Sequence, residues 1–112
     1  MHDVVNFDAL RKKRRDRERF MFLANVTGDE QKTLAALALA AVIFNDYELS
    51  QKGYVRISIP DAAKKARMAE SSMYEARNWL VTRGYLVRVP GTGNRKGCYT
   101  LGPGPDNSGW PE

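Results

Sequence analysis

Residues 54–101 change their hydrophobic pattern several times within a short stretch, and this feature constrains the fold more than any other. Alternating, β-branched residues over 54–59 predict a short strand. Pro60 ends that strand and fits the first turn of a helix, which is predicted over residues 61–66. The stretch therefore begins with a strand that leads directly into a short helix.

A second helix and a hairpin complete the same stretch. After a break, a helix is predicted over residues 70–83, with Gly84 as its C-terminal stop. Residues 85–89 and 98–101 each have the composition of a strand. The basic, glycine-rich loop 90–97 lies between them, which predicts a β-hairpin.

The part of the chain before this stretch predicts another helix. Thr27 and Glu30 have the spacing of a capping box, so we expect a helix to begin there and to run to about Asn45. Within it, Leu34–Phe44 is apolar on nearly every side. Such a helix is either central in the core or adds a dimer contact to its core face.

Residues 1–26 predict a basic N-terminal arm. Arg11–Arg15 is an uninterrupted run of cations, and Asp8 is a suitable cap for a helix over residues 9–23. This helix is polar for most of its length, so it needs a partner or DNA to hold it.

The length and the charge distribution complete this organisation. The 112 residues suit one domain, which we place at residues 27–101, with a disordered Gly/Pro-rich tail at 102–112. The net charge of +5 is unevenly distributed: residues 1–19 carry +3 and residues 56–97 carry +6. Clustered positive charge indicates a polyanionic partner.

Few residues suit catalysis, metal binding or membrane insertion. The chain has one histidine, His2, and one cysteine, Cys98, which cannot together form a zinc site. We therefore expect no enzyme activity and no cofactor. No apolar run approaches the ~20 residues that a membrane span requires. A single cysteine is typical of a reducing compartment, so we expect a cytoplasmic, nucleoid-associated protein.

The order of elements resembles the winged helix-turn-helix family of bacterial and phage DNA-binding domains. The matching residues are Ile59-Pro60, Ala62-Ala63, Met68, Ser71-Ser72-Met73, Leu80 and Arg83-Gly84-Tyr85-Leu86. The resemblance implies an α+β, mostly helical fold with a three-helix core and a small β-hairpin wing. Two positions depart from the common pattern: Arg67 stands where glycine is frequent, and Arg77 where an apolar core residue is frequent.

The second helix of the pair is the expected reading element, because an α-helix fits the major groove. On it, Ser71 and Ser72 are expected to contact phosphates. Tyr74 is expected at a sugar or a thymine methyl, Arg77 at guanine and Asn78 at adenine. The alternative is a solvated helix face, on which the serines cap the helix and Arg77 pairs with Glu70 or Glu75.

Cations outside this helix are expected to position the DNA. Lys64, Lys65 and Arg67 lie where the first helix crosses the backbone, or on an exposed face without a partner. Arg95 and Lys96 occupy the tip of the predicted wing and suit a narrow minor groove. In the arm, Arg14 and Arg15 suit a minor-groove contact, a nonspecific anchor or a polar dimerisation helix.

We therefore expect sequence-specific binding of double-stranded DNA by a small transcriptional regulator or a plasmid or phage maintenance factor. A homodimer is expected, with the contact on the apolar helix and the arm. The alternative is a protein-interaction module, or a replication or partition adaptor, on the same scaffold. RNA binding by the same basic surface is a third hypothesis.

Overall fold

The computed structural model describes residues 7–90, 97–105 and 110, and over these the chain is α+β and mostly helical. In these segments it forms five helices and one three-stranded antiparallel sheet. The elements are α1 (Phe7–Gly28), α2 (Leu34–Phe44), α3 (Tyr47–Lys52), β1 (Val55–Arg56), α4 (Ile59–Ala66), α5 (Glu70–Thr82), β2 (Leu86–Arg88) and β3 (Cys98–Leu101).

Helix α2 is the centre of the core, as its apolar sequence predicts. Helices α1, α4 and α5 all pack against it. Ala36 and Ala40 are fully buried together with Leu39 and Ile43. The alanines let neighbouring helices approach closely, and the larger side chains fill the space between them.

The start of α2 differs from the prediction, and the capping box at Thr27 is wrong. Helix α1 continues through Gly28, and the Thr27 hydroxyl donates to the Leu23 carbonyl within that helix. The actual N-cap of α2 is Thr33, whose hydroxyl accepts from the Ala36 amide at 3.0 Å. Core packing extends α1, because Val26 in its final turns is completely buried.

Helix α1 extends well beyond the predicted helical range of 9–23. From Arg15 onward it is attached to the domain by Phe22, which is fully buried, and by two arginines. Arg15 Nε donates to the Ser50 carbonyl at 3.2 Å, and Arg19 donates to the Phe44 carbonyl at 3.0 Å. The predicted arm boundary at residue 26 thus lies inside a continuous helix.

Helix α3 has no counterpart in the sequence analysis. Asp46 caps it by accepting from the Leu49 amide at 3.0 Å, and Gly53 ends it in the left-handed region at φ +81°. Leu49 is its one buried residue. Six residues are too few to display a helical period, so only the cap and the glycine mark this helix.

Helices α4 and α5 occur where the sequence predicts them. Helix α4 begins two residues earlier than expected, with Ser58 as N-cap and Pro60 in its first turn. In α5, Met73, Ala76 and Leu80 are buried against the core, as their spacing predicts. The opposite side of α5 is therefore available to solvent.

The predicted hairpin is confirmed, and β1 adds a third strand to it. The sheet order is β1-β3-β2, with Val55 opposite Tyr99 and Leu86 opposite Leu101. The strand predicted over 54–59 is too long, because Ser58 already caps α4. The short β1 positions α4 relative to the hairpin.

Residues just after β3 differ from the expected disordered tail. The Gly102 amide donates to the Tyr85 carbonyl at 2.9 Å, and Asn25 of α1 donates to the Pro103 carbonyl at 3.4 Å. Trp110 packs against the core. Glycine is required at position 102, because a Cβ there would collide with the Gly84 carbonyl.

Candidate nucleic-acid interface

The turn between α4 and α5 has a well-defined backbone. Arg67 ends α4 in the left-handed region, at φ 55° and ψ 46°. Its amide donates to the Lys64 carbonyl at 3.3 Å, and the Met68 amide donates to the Ala63 carbonyl at 3.0 Å. The conformation is one that glycine favours, although the residue here is an arginine.

Three exposed cations surround this turn. Lys64 and Lys65 lie in the last turn of α4, where positive charge also interacts favourably with the helix dipole. Arg67 follows them and is exposed as well. A shallow groove passes from Lys64 and Arg67 to Ala69 and Glu70 at the start of α5.

The first turn of α5 has no side-chain cap. Ala69 is the N-cap residue and offers no side-chain acceptor to the first amides of the helix. Ser71 is exposed and Ser72 is half-buried, both inside the helix. The alternative in which these serines cap α5 is therefore wrong. Uncapped amides at a helix N-terminus are suited to bind an anion.

The outward face of α5 carries the predicted reading residues. Tyr74 is 48% exposed, Asn78 is exposed and Arg77 is half-buried. The Arg77 guanidinium lies over the Tyr74 ring, 5.1 Å from its centroid, and it contacts Asn78 Oδ1 at 3.5 Å. Val81 continues this face and is 39% exposed.

Arg77 makes no ion pair among the described residues, so the alternative that pairs it with an acid is wrong. Glu70 and Glu75 are seven and two residues away, and neither spacing brings side chains together on a helix. Trp79, on the same helix, packs against the core. It is half-buried and stacks on Tyr85, with ring centroids 5.7 Å apart.

The two arm arginines are in different surroundings from the α4–α5 cations. Arg14 pairs with Glu18 at 3.2 Å, and Arg15 uses its Nε on the Ser50 carbonyl. Their exposed basic neighbours on α1 are Arg11, Lys12, Lys13 and Arg17. A DNA contact by Arg14 and Arg15 stays a prediction. Arg95 and Lys96, the predicted wing contacts, lie outside the described residues.

A buried polar cluster behind α5 was not expected from the sequence. The Asp29 carboxylate is 4% exposed and accepts from Arg83 Nε at 2.7 Å and from the Tyr85 hydroxyl at 2.8 Å. The Gln31 amide donates to its other oxygen at 2.8 Å. Arg83 is separated from Asp29 by 54 positions, so no local pattern could reveal the pair.

The cluster shifts the ionisation of two of its members. Burial by itself raises the pKa of Asp29, but hydrogen bonds from the Gln31 amide, Tyr85 and Arg83 outweigh it and hold the pKa below the usual 3.8. Burial, reinforced by the Asp29 carboxylate, raises the pKa of Tyr85 to about 12. The cluster therefore contains an ionised Asp29 and a neutral Tyr85 at neutral pH.

The described residues contain no group of three or more His, Cys, Asp or Glu side chains that could hold a metal ion. Cys98 is buried in β3. Across residues 7–90, 97–105 and 110, no helix combines the length and apolar character needed to cross a bilayer. No protein-family model, curated protein or solved structure matches the chain.

Proposed function

We propose that the chain binds double-stranded DNA sequence-specifically, with α4 and α5 acting as a helix-turn-helix in a winged-helix fold. One observation carries the proposal: a groove joins Lys64 and Arg67, at the end of α4, to Glu70, the first residue of α5. The contributing residues are Lys64, Lys65, Arg67, Ser71, Tyr74, Arg77 and Asn78. Burial of the opposite face of α5 keeps these side chains accessible.

The order of elements supports the winged-helix assignment. A core helix, α2, precedes β1, and the pair α4–α5 is followed directly by the β2–β3 hairpin. The first strand pairs with the last, so the hairpin is attached beside α4 and α5. In this fold the hairpin would form the wing, with its basic tip at Arg95 and Lys96.

The interface divides into positioning and reading parts. Lys64, Lys65 and Arg67 would neutralise phosphates. The backbone amides at the N-terminus of α5 would donate hydrogen bonds to the same phosphates. Arg77 and Asn78 would contact base edges in the major groove. In this arrangement the chain would serve as a small transcriptional regulator or as a plasmid or phage maintenance factor.

A homodimer would place two such helices on half-sites about one helical turn, ~34 Å, apart. Helix α2 supports this part of the proposal, because it contains no charged residue and Leu34 is 76% exposed. Ala41 is exposed on the same helix. Leu34 and Ala41 lie about two turns apart on α2, where a second copy could cover them, and Lys65 of α4 lines the groove beside Ala41.

The test is selection of sequences from a random duplex pool, followed by affinity measurements across a salt series. We expect an enriched motif and a steep loss of affinity with salt. Neutralising Lys64 and Lys65 to glutamine should weaken binding at all sequences and lower the salt slope by about two, because each phosphate contact contributes about one.

Lys52→Gln is the matched control, since Lys52 is a similarly exposed lysine on α3 that pairs with Glu48 at 3.5 Å. An equal loss of affinity in this control would indicate a nonspecific charge effect. No binding to any duplex at low salt would overturn the proposed function. Binding that depends on structured RNA and its 2′-hydroxyls would replace it with RNA recognition.

A protein-interaction module is the second candidate, favoured by the exposed apolar groups on α5. Tyr74 is 48% exposed and Val81 is 39% exposed on one face of this helix. Under this alternative, neutralising the cations should change little, whereas Val81→Gln should abolish partner binding. The duplex selection separates the two functions before any partner is identified.

A further inference from the structure

We infer that Tyr74 is a positioning residue that sets the guanine preference of Arg77. The inference rests on the proposed DNA-binding function and names the base class that the centre of α5 reads. Tyr74 and Arg77 form a stacked pair on one face of α5, and the Tyr74 ring orients the Arg77 guanidinium before DNA binds.

The geometry of the pair is that of an i, i+3 contact on a helix. The Arg77 guanidinium lies 5.1 Å from the Tyr74 ring centroid, within the range of a cation–π interaction. Tyr74 remains 48% exposed, so its ring is at the surface and not within the core. The stacked pair therefore faces outward.

Arg77 has no carboxylate partner among the described residues. Four other arginines lie 2.7 to 3.5 Å from a carboxylate oxygen: Arg14, Arg19, Arg56 and Arg83. The positions three and four residues before Arg77 are Tyr74 and Met73, and neither can form an ion pair. Stacking on the ring is thus the contact that orients this guanidinium.

The stacked guanidinium keeps most of its hydrogen-bonding capacity for a ligand. Its observed hydrogen bond is the long one to Asn78 Oδ1, at 3.5 Å. A guanidinium has five N–H donors in a planar fork, which matches the O6 and N7 acceptors of guanine. The exposed apolar neighbours Tyr74 and Val81 favour a base edge over a phosphate, because they would contact thymine methyls and not a charged backbone.

The experiment compares base preferences of wild type, Tyr74→Phe, Tyr74→Leu and Arg77→Ala in the duplex selection, with circular dichroism to verify folding. We expect a guanine preference in the wild type that Arg77→Ala removes at one position. Tyr74→Phe keeps the ring and should preserve that preference. Tyr74→Leu removes the ring and should reduce the preference roughly two- to fivefold, the effect of an exposed cation–π contact.

The double variant Tyr74→Leu/Arg77→Ala tests whether the two residues act together. We expect it to show no further loss of base preference beyond Arg77→Ala alone. If the wild type binds DNA but Tyr74→Leu leaves the guanine preference unchanged, the positioning role is overturned. A uniform loss at every sequence in Arg77→Ala would overturn it as well, by assigning Arg77 to a phosphate. Failure of the wild type to bind any duplex would instead remove the proposed function itself.

Discussion

At the scale of single residues, Arg67 combines a strained backbone with an exposed charge. A left-handed conformation costs a residue with a Cβ about 1–2 kcal/mol, and glycine avoids this cost. Arg67 is the one non-glycine residue with a positive φ in the described part of the chain. The side chain thus lies at a position where the backbone favours glycine, and under the proposed function it would contact phosphate.

Two substitutions separate the backbone effect from the charge effect at this position. Arg67→Gly and Arg67→Ala both remove the cation, and both should weaken DNA binding and lower the salt slope by about one. Arg67→Gly should have the higher free energy of unfolding, by about 1 kcal/mol, since it alone relieves the strain. Chemical denaturation and salt-dependent binding measure these effects. Equal stability of the two variants would contradict the strained conformation.

Tyr74 and Arg77 show how sequence and structure contribute at this scale. The sequence identifies both as candidate contacts, because they lie on the polar face of a predicted helix. It cannot choose between an acidic partner and an aromatic one for Arg77. Side-chain geometry makes that choice.

At the scale of elements, the Asp29 cluster joins the α1–α2 connection to the end of α5. The buried Asp29 carboxylate interacts with Arg83 and Tyr85, which flank the C-terminus of the proposed reading helix. Trp79 adds to this junction, because the Arg83 guanidinium lies 5.3 Å from its ring centroid. The cluster therefore orients α5 relative to α1.

The cluster predicts a defined pH dependence of stability. The folded pKa of Asp29 is lowered, so its contribution is present above the unfolded pKa of about 3.9 and is lost as pH falls through the folded value. The folded pKa of Tyr85 is raised to about 12, so its contribution is present below about pH 10 and is lost as pH rises toward 12. The free energy of unfolding should thus decline at both strongly acidic and strongly alkaline pH.

Asp29→Asn and Tyr85→Phe test the acidic and the alkaline loss of stability. Asp29→Asn should lower the free energy of unfolding at pH 7 by about 1–3 kcal/mol, because it leaves Arg83 without its anionic partner. It should also reduce the loss of stability as the pH falls. Tyr85→Phe should remove the loss of stability at alkaline pH and also reduce the loss at acidic pH, because the Tyr85 hydroxyl is one of the groups that lower the pKa of Asp29. Urea titrations from pH 2.5 to 12 measure the free energy of unfolding of each variant. An unchanged loss of stability at acidic pH in Asp29→Asn would contradict the assignment.

Element prediction succeeds where the local pattern and the tertiary contacts agree. The spacing of Met73, Ala76 and Leu80 identifies the buried face of α5 from the sequence. The pattern fails at Thr27, where a suitable capping box lies inside a longer helix. Helix α1 continues past this point because Phe22 and Val26 are buried in the core. Helix α3 was missed since six residues cannot show a period.

At the scale of the whole molecule, the exposed surface of α2 predicts self-association. Leu34 and Ala41 are exposed on a helix without charged residues, next to buried positions that hold the core. Covering this surface by a second copy would remove apolar area from water.

Leu34→Glu tests this surface, with sedimentation equilibrium as the measurement. We expect the wild type to dimerise and the variant to have a dimer dissociation constant at least about tenfold higher, because burying an unpaired carboxylate costs more than about 1.4 kcal/mol. Tyr47→Gln is the control, since Tyr47 is 77% exposed on α3 and not on α2. A wild type that remains monomeric at high micromolar concentration would remove the dimer from the proposed function.

The sequence by itself determined the hydrophobic face of α5, the central position of α2, the hairpin and the clustering of positive charge. These features depend on the local spacing of side chains, which a single helix or strand already displays. The tertiary structure alone decided the length of α1, the pairing of β1 with β3, the Asp29–Arg83 ion pair and the stacking of Arg77 on Tyr74. The length of α1, the strand pairing and the ion pair all depend on contacts between residues far apart in the chain, which no local pattern reveals. The stacking of Arg77 on Tyr74 is one of several possible local contacts, and only the folded surface shows which of them forms.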